Sequence, residues 1–417
     1  MPVRVLLIVA VVAASTAAAP DGHGLADVLG SARCAGQGRL HARLCDAWER
    51  GRLAGLVPSD AASHYGEAAR VRELGGVFRM VAQDTPHRAR KRALNRAELN
   101  STFQPFNAAG FHFGKVRSEE VLLCLDPRLE EPEDVCAPGA SHHSTCLATS
   151  SRSLEACNQG SPAPVVVVIN VHPVCRDHVL VVPRLDAGHP QVLTQEGLEL
   201  GLAFAKLASP AMRLSFNSIG AGASVNHLHW QGFFAVPDPG ALFPFERHLR
   251  AGGLVRAAES RGHVSLWSTT SWPLRAWVFQ WDAEAIEAVE AGRSALQVAK
   301  LTEAVFALVA GMQALDIAHN VVVIDHGTRV AVFPRLLLNP QGVDVSLLQV
   351  AGHEALGWWI CNREEDFLAL DAAAAAAALR GAALGPDAEE SLAKVLSEAG
   401  WQLLPELAVN VPMATAI

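Results

Sequence analysis

The sequence predicts an α+β fold made of two similar halves, each with antiparallel strands and flanking helices. Three observations predict it. The chain has 417 residues, enough for two domains or one doubled domain. Its centre alternates short β-branched runs with a longer stretch of helical spacing. Finally, residues 321–335 repeat a pattern first seen at 165–184, as a duplicated domain would.

Composition and charge exclude several classes of protein. Half of the residues are apolar and 18% are charged, which is typical of a folded globular chain. The formal net charge of -8 argues against general affinity for nucleic acid or for an anionic membrane, because both require an excess of Lys and Arg. An anionic ligand would therefore need a local pocket of His, Arg and backbone N–H groups.

Residues 1–19 have the pattern of a secretory signal peptide. Arg4 precedes an apolar run, Val5 to Ala14, and small residues follow up to Ala19. A transit peptide or a wrongly assigned first exon would be the alternative. The run is too short to span a bilayer comfortably, and no later stretch suggests a transmembrane segment, so no membrane span is expected. Residues 20–70 form an N-terminal extension with a helix expected over Ala42 to Leu53.

The chain contains eight cysteines, an even number that would allow disulfides in an oxidising compartment. Five lie in loop-like surroundings: Cys34, Cys45, Cys136, Cys146 and Cys157. None has the C-x-x-C spacing of a zinc ribbon or a dithiol redox site. Asn100-Ser101-Thr102 is a glycosylation sequon, but such triplets occur by chance too often to decide the compartment.

The first half is expected to span residues 71–250. A basic stretch from His87 to Arg96 suits either a solvated helix face or a phosphate contact. A Cys-rich segment, 126–164, interrupts the pattern as an insertion, and its paired His142-His143 fits a polar surface loop better than a metal site. The expected elements are strands at Phe111–Val116, Val121–Leu125, Val165–Val171, His178–Val182, Arg213–Asn217 and His227–Val236, with a helix at Thr194–Leu207.

The second half is expected to span residues 265–417. The run Val165–Asn170 followed by Val181–Arg184 is echoed by Val321–Asp325 followed by Val332–Arg335, and both copies read as hairpins that close with Pro-Arg. The later copy has no H-x-H, so it cannot carry the same chemistry as the first. The other expected elements are a strand at Trp358–Cys361 and helices at Ala295–Leu315, Arg363–Leu379 and Asp387–Gly400.

The sharpest chemical signal is Asn226-His227-Leu228-His229-Trp230-Gln231. Side chains alternate along a strand, so His227, His229 and Gln231 share one face. Three polar side chains in a row would be costly on a buried face without partners, which favours a site.

An imidazole is a good nucleophile at neutral pH, and a second imidazole nearby can hold its tautomer. Attack on the α-phosphorus of a nucleoside diphosphate derivative would give a phosphoramidate. Gln231 can stabilise a phosphoryl oxygen without supplying a proton. A metal site built on the two histidines, for which Gln would be a poor third ligand, and a satisfied core histidine pair are the alternatives.

A glycine-rich turn, Asn217 to Ser224, precedes these histidines. Its small residues, among them Ser218 and Gly220, offer backbone N–H groups where a pyrophosphate could approach. Such a turn is a weak signal alone and a stronger one directly before a histidine strand.

The segment Asn217 to Gln231, ending in His-Leu-His-Trp-Gln, resembles the active site of the GDP-hexose phosphorylases, which include GDP-L-galactose and GDP-D-glucose phosphorylases. That family belongs to the histidine-triad superfamily and is similar in motif to galactose-1-phosphate uridylyltransferase. The likeness extends to 76–125, to Val165–Arg184 and to two later segments, His319–Pro334 and Gly357–Asp366. It implies two histidine-triad-like halves, of which only the first is catalytic.

The resemblance also implies roles for individual residues. His229 would accept GMP, His227 and Gln231 would orient and stabilise it, and Asn217 and Ser224 would lie near the phosphates. His178 matches the histidine of the family's Gly-His-Val hairpin, and charge on the phosphate would be met by Gln231, the 218–224 amides and either Lys115 or a residue of the basic stretch. This sequence departs from the family pattern with Asp177 in place of Gly, Trp358 in place of His, the leader and the Cys-rich segment.

The implied reaction is ping-pong: GDP-hexose gives hexose 1-phosphate and guanylyl-His229, and inorganic phosphate as co-substrate then releases GDP. No redox cofactor is needed and no metal ligand set is expected. A histidine-triad hydrolase, a metal-dependent hydrolase using His227 and His229, and a non-catalytic sugar-nucleotide binding protein remain alternatives. A homodimer is compatible with the sequence. For localisation, the resemblance implies the cytoplasm, whereas the leader and cysteines indicate the secretory pathway.

Overall fold

A computed structural model describes residues 39–59, 61, 65, 69–89, 100–128, 163–282, 294–337 and 350–405. The signal-like leader, most of the 126–164 segment with His142-His143, four of the cysteines and most of the basic stretch lie outside the described residues.

The described first half contains seven strands and three α-helices. In chain order its elements are α1 (Arg39–Leu53), β1 (Val71–Glu73), β2 (Val81–Asp84), β3 (Val121–Leu125), β4 (Val165–Ile169), β5 (Val179–Pro183), α2 (Gln195–Leu207), β6 (Arg213–Asn217), β7 (Trp230–Phe233) and α3 (Pro244–Arg250).

The second half repeats the mixture and ends in helices. Its elements are β8 (Leu254–Arg261), β9 (Val264–Thr269), β10 (Trp277–Trp281), α4 (Ser294–Ala314), β11 (Ala318–Ile324), β12 (Arg329–Arg335), α5 (Gly352–Ala355), β13 (Trp358–Cys361), α6 (Glu364–Ala369), α7 (Ala372–Gly381) and α8 (Pro386–Glu398). The expected α+β class with antiparallel sheets and flanking helices is confirmed.

Ten strands form one antiparallel sheet in the order β3-β4-β5-β7-β6-β11-β12-β10-β9-β8. Each set of five has the same order when it is read from its outer edge inward, β3-β4-β5-β7-β6 in one and β8-β9-β10-β12-β11 in the other. Along the chain, each set consists of three strands, a helix and two strands. The two units meet at their edges, where β6 pairs with β11 and Asn217 lies opposite Asn320. The duplication is therefore real, and its two copies share one continuous sheet.

The equivalence between the copies differs from the one that the sequence suggested. Both Pro-Arg segments are hairpins, but the β4–β5 hairpin lies inside the first unit, whereas β11–β12 occupies the position of β6–β7. Two apolar strands joined by a turn look alike in any antiparallel sheet, so local sequence could not choose between the pairings. The second unit also begins at Leu254, ahead of the boundary at 265.

A smaller sheet joins two strands of the first half to one strand of the second half. Strand β13 pairs in parallel with β2, which pairs antiparallel with β1. Trp358 is buried in this sheet, where its indole N–H donates to Gln83 Oε1 at 2.9 Å. The residue that departs from the family pattern is thus part of the packing between the N-terminal and C-terminal strands.

Helices α2 and α4 pack side by side on one face of the large sheet. Of the described helices, only α4 has the length and apolar composition of a membrane-spanning segment, and half of that stretch is buried inside the protein. Its buried side chains, including Leu301 and Leu308, belong to the main core. The composition of α4 is that expected of a core helix.

Two predicted elements were wrong. Phe111–Val116 is not a strand, because Phe113–Lys115 forms a 3-10 turn capped by the His112 side chain. The helix expected over 363–379 is broken in two at Leu370, and the Asp371 side chain accepts the Ala374 N–H at 2.7 Å to start the second helix. An aspartate in that position is a common N-cap, which offers the backbone an alternative to a continuous helix.

Cys45 and Cys124 each take part in a disulfide, whereas Cys175 and Cys361 are free and buried. Cys124 lies in strand β3 and was not among the five cysteines expected in loops. Burial raises the pKa of Cys175 and Cys361 to about 12, so both are inert thiols at neutral pH.

Candidate active site

The histidine segment alternates as expected, although the hydrogen-bonded part of the strand begins only at Trp230. Leu228 and Trp230 face α2, whose glycines make room for them. A Cβ at Gly201 would lie 2.8 Å from the Trp230 ring, and one at Gly197 would lie 2.9 Å from Leu228. The Trp230 indole N–H also donates to the Gly197 carbonyl at 3.1 Å. This packing turns His229 and Gln231 to the opposite face.

His229 is held through its Nδ1 atom. Nδ1 lies 2.8 Å from the carbonyl oxygen of His227 and 2.9 Å from Oε1 of Gln191. Carbonyl and amide oxygens only accept hydrogen bonds, so Nδ1 must carry the ring proton. The neutral ring therefore presents its lone pair at Nε2, as a nucleophile requires.

His227 has the opposite tautomer. Its Nδ1 accepts the backbone N–H of Phe113 at 3.0 Å, so in the neutral ring the proton is on Nε2. The side chain is 1% exposed, and its Nε2 has no hydrogen-bond partner among the described residues. Burial, with smaller contributions from His229, His112 and His189, lowers its pKa to about 4. His227 is thus a neutral group with an N–H to donate.

A cavity of about 440 Å³ opens beside His229 and Gln231. One part of its wall is apolar and partly aromatic, and it includes Phe111, Phe113, Val116, Val168, Leu180 and Val225. Another part is polar, with Glu120, Asn170, His172, Ser224, His229 and Gln231. None of the described residues that line the cavity is Lys or Arg. The acidic residue of this described wall, Glu120, is paired with Arg117 at 2.8 Å.

The glycine-rich turn contributes only partly to this cavity. Gly220 has φ of +76°, a backbone conformation that favours glycine, and a Cβ there would lie 2.0 Å from the Leu337 Cδ1 atom. Ser224 lines the cavity, but Ser218 does not: its hydroxyl donates to the Ile219 carbonyl and accepts the His319 N–H, which holds the two halves together.

Asn217 is also placed away from the cavity wall. Its Oδ1 accepts hydrogen bonds from Asn320 Nδ2 at 2.7 Å and from the Gly352 N–H at 3.0 Å. A Cβ at Gly352 would lie 1.8 Å from the Ser215 hydroxyl, so α5 is pressed against this part of the sheet. Asn217 therefore joins β6, β11 and α5 beneath the site.

His178 and Lys115 likewise act on the backbone around the site. His178 is fully buried and its Nδ1 accepts the Val174 N–H at 3.0 Å, which orders the loop before β5. Asp177, in the place of the family's glycine, has φ of +60°, so the left-handed turn is retained by a residue that tolerates it. Lys115 Nζ donates to the carbonyls of Ala109 and Gly110 and does not line the cavity.

Two basic residues of the stretch, His87 and Arg88, are described, and both support the same loop. His87 Nε2 lies 2.8 Å from the Pro173 carbonyl, and Arg88 Nη1 donates to the carbonyl of His172. Arg88 is buried, and burial lowers its pKa to about 10, so it remains charged at neutral pH. Neither expected alternative, a solvated face or a direct phosphate contact, describes these two residues.

Sequence reasoning missed Gln191, Phe113 and Asn170. Gln191 and the Phe113 backbone hold the two histidines, and Asn170 lines the cavity. Locally, Gln191 is marked only by its place in the short segment just before Thr194, the N-cap of α2. Within the described ranges, no three His, Cys, Asp or Glu side chains are grouped as ligands for a metal ion.

Buried histidines make the free energy of unfolding depend on pH. Burial lowers the pKa of His319, as of His41 and His227, from 6.5 to about 4. In the unfolded chain each takes up a proton near pH 6.5, so stability is full above that pH and is lost as the pH falls towards 4. We expect His319→Leu to reduce the loss between pH 6.5 and pH 5 by about 1–2 kcal/mol. Urea unfolding of both proteins at the two pH values measures it, and equal losses would contradict the assignment.

Two family models match the chain. The GDPGP1-like N-terminal domain matches residues 39–233 and the GDPGP1-like C-terminal domain matches residues 251–399. The first match contains the histidine segment and the cavity walls described above.

Curated relatives carry two names. GDP-L-galactose phosphorylase 2 of Arabidopsis thaliana is 27% identical over 308 residues, which is 72% of this chain and 63% of the relative. GDP-D-glucose phosphorylase 1 of Xenopus laevis is 33% identical over 168 residues, 36% of this chain and 40% of the relative. The chain thus matches less than two thirds of the length of these proteins.

Among solved structures, yeast Ap4A phosphorylase Apa2 has a similar fold. The TM-score is 0.51 at 12% sequence identity, and the match covers 84% of this chain and 97% of that chain. At this identity the likeness concerns the fold alone.

Proposed function

Because this chain belongs to the GDPGP1-like family, we propose that it is a GDP-hexose phosphorylase that works through a guanylyl-His229 intermediate. The observation that supports it most directly is the pair of oxygen acceptors at His229 Nδ1, on the His227 carbonyl and the Gln191 amide. They direct the lone pair to Nε2, on the ring that lines the cavity.

In the first step, Nε2 of His229 attacks the α-phosphorus of GDP-hexose. The P–N bond forms as the bond from the α-phosphorus to the bridging oxygen breaks, and hexose 1-phosphate leaves with that oxygen. In the second step an oxygen of inorganic phosphate attacks the same phosphorus, the P–N bond breaks, and GDP is released. Each step is a nucleophilic displacement in which no electron is gained or lost.

The cavity suits such a substrate in two parts. The aromatic and aliphatic wall around Phe111 and Phe113 can cover the base and ribose, because apolar surfaces bind the flat faces of a purine. The polar wall around Gln231, Ser224 and Asn170 can bind the phosphates and hexose. Gln231 would donate to the oxygens on which charge develops.

His227 would support the transfer as a neutral hydrogen-bond donor. Because its pKa is lowered to about 4, His227 is uncharged at neutral pH and would meet the phosphate as an N–H donor, not as a cation. Its Nδ1 bond to the Phe113 N–H also ties the histidine segment to the turn that forms the aromatic wall. The base-binding wall and the nucleophile are thereby kept in a fixed relation.

The experiment is to incubate the protein with GDP-glucose or GDP-galactose, each with and without phosphate, and to measure GDP, GMP and hexose 1-phosphate. We expect GDP to form only with phosphate. Without phosphate, release of hexose 1-phosphate should stop after one molecule per enzyme molecule. Intact-mass analysis should then detect a guanylyl adduct.

Other outcomes separate the alternatives. Continuous release of GMP without phosphate would identify a hydrolase. Loss of turnover with a chelator would favour metal-dependent chemistry at His227 and His229. Binding of the nucleotide sugar with no adduct and no turnover would indicate a binding protein.

A further inference from the structure

The structure assigns Gln191 as the positioning residue of the nucleophile, a role that rests on the function proposed for His229. Gln191 is 1% exposed and lies in the segment between β5 and α2, far along the chain from the histidine motif. It does not line the cavity and so acts through another residue.

Both ends of its side-chain amide are used. Oε1 accepts the backbone N–H of His229 at 3.0 Å and lies 2.9 Å from the His229 Nδ1 atom. Nε2 donates to the backbone carbonyls of Asn217 at 2.9 Å and His229 at 3.2 Å. Gln191 therefore bridges the end of β6 and the residue that precedes β7.

The surroundings permit only one orientation of this amide. If it were turned by 180°, its NH₂ group would face the His229 N–H, and its oxygen would face two carbonyl oxygens. Each contact would then join two donors or two acceptors. The amide oxygen must therefore face Nδ1 and fix the proton there.

This contact matters more as the reaction proceeds. When Nε2 bonds to phosphorus, the imidazole becomes a cation, and its Nδ1 proton is shared between the Gln191 and His227 oxygens. Both acceptors are neutral, so they stabilise the charge without removing the proton, and together they fix the plane of the ring. Among the described residues, the titratable side chains that act on His227 are His229, His112 and His189, and Glu120 lines the cavity beside His229.

Gln191 is itself held from the opposite direction. Its backbone N–H donates to Asn226 Oδ1 at 2.9 Å, and the Leu228 N–H donates to the His189 carbonyl at 3.0 Å. Asn226 Nδ2 in turn donates to the carbonyls of Gln104 and Pro105. The segment around Gln191 thus runs beside the histidine segment as a fixed support.

Three variants test the assignment. Gln191→Met keeps the volume and removes the hydrogen bonds. Gln191→Glu, when protonated, keeps one oxygen to accept from His229 and one O–H to donate to a carbonyl. Thr194→Ala is the matched control, because the Thr194 hydroxyl caps α2 by accepting the Gly197 N–H in the same segment without touching His229.

We expect Gln191→Met to slow guanylylation and kcat by about 10- to 100-fold, with KM within about threefold of the wild type. Thr194→Ala should keep kcat within about twofold, although its Tm should fall by about as much as that of Gln191→Met. Gln191→Glu should be most active at acidic pH and lose activity as the pH rises, since the ionised carboxylate would face the two carbonyl oxygens. If Gln191→Met stays within about threefold of wild type, or Thr194→Ala loses as much kcat, the assignment is wrong.

NMR of the resting protein with ¹⁵N-labelled histidine provides a readout that needs no turnover, with the His229 signals assigned through His229→Asn. The wild type should show the proton on Nδ1. In Gln191→Met that resonance should move upfield and exchange faster with water, because one acceptor is lost. An unchanged resonance overturns the assignment, whereas the absence of phosphate-dependent turnover in the wild type contradicts only the proposed function.

Discussion

Replacing His229 with Asn is expected to abolish phosphate-dependent turnover of GDP-hexose, lowering kcat by about 10⁴-fold or more. Asparagine can still donate a hydrogen bond to the His227 carbonyl or the Gln191 oxygen, so the packing around the position should survive. It has no nitrogen lone pair that can attack phosphorus. Both the guanylyl adduct and the release of hexose 1-phosphate should disappear.

The control for this variant is its fold. His229 is 4% exposed, so a loss of activity could also arise from unfolding. Circular dichroism, Tm and GDP binding should stay close to those of the wild type. Phosphate-dependent turnover that persists in His229→Asn would remove the nucleophile from the proposed mechanism.

Replacing Gln231 with Leu is expected to lower the rate of guanylylation by about 10²- to 10³-fold. Gln231 lines the cavity two residues beyond His229 on the same face, between Leu180 of β5 and Ser215 of β6. Leucine fits an apolar neighbour such as Leu180, so the sheet should tolerate it. What it loses is the amide donor to the oxygens of the α-phosphate.

The kinetics distinguish this loss from weaker binding. Removing a donor that acts only in the transition state lowers kcat. Removing one that binds the substrate and the transition state equally raises KM alone. We expect single-turnover guanylylation to slow while the Kd for GDP changes less than about tenfold. A variant whose kcat is unchanged and whose KM is raised would show that Gln231 only binds the substrate.

The predicted elements that matched best have strong local patterns. The β-branched run from Val165 and the apolar segment from Val121 are strands, and the apolar spacing after Thr194 is a helix with Thr194 as its N-cap. In each case the pattern and the boundary signal lie within a few residues of each other. The strands of residues 254–281 were not predicted.

Alternation also predicted which side chains of the histidine segment share a face. Leu228 and Trp230 lie in the core, and His229 and Gln231 line the cavity. The alternation persists although the strand's hydrogen bonds begin only at Trp230. The roles of Asn217, Ser218 and Lys115 could not be judged in this way, because motif position does not tell where a side chain points.

The sequence by itself determined the α+β class and the polar face that His229 shares with Gln231, because propensity and alternation act over a few neighbouring residues. It suggested a duplication, but from two hairpins that are not equivalent in the sheet. Only the tertiary structure decided which strands are equivalent in the two halves and which residues hold the imidazoles. The bond from Gln191 to His229 spans 38 positions in the chain, and the bond from Phe113 to His227 spans 114. Such contacts form when loops close and buried polar groups find partners, which depends on the packing of the whole sheet rather than on any short segment.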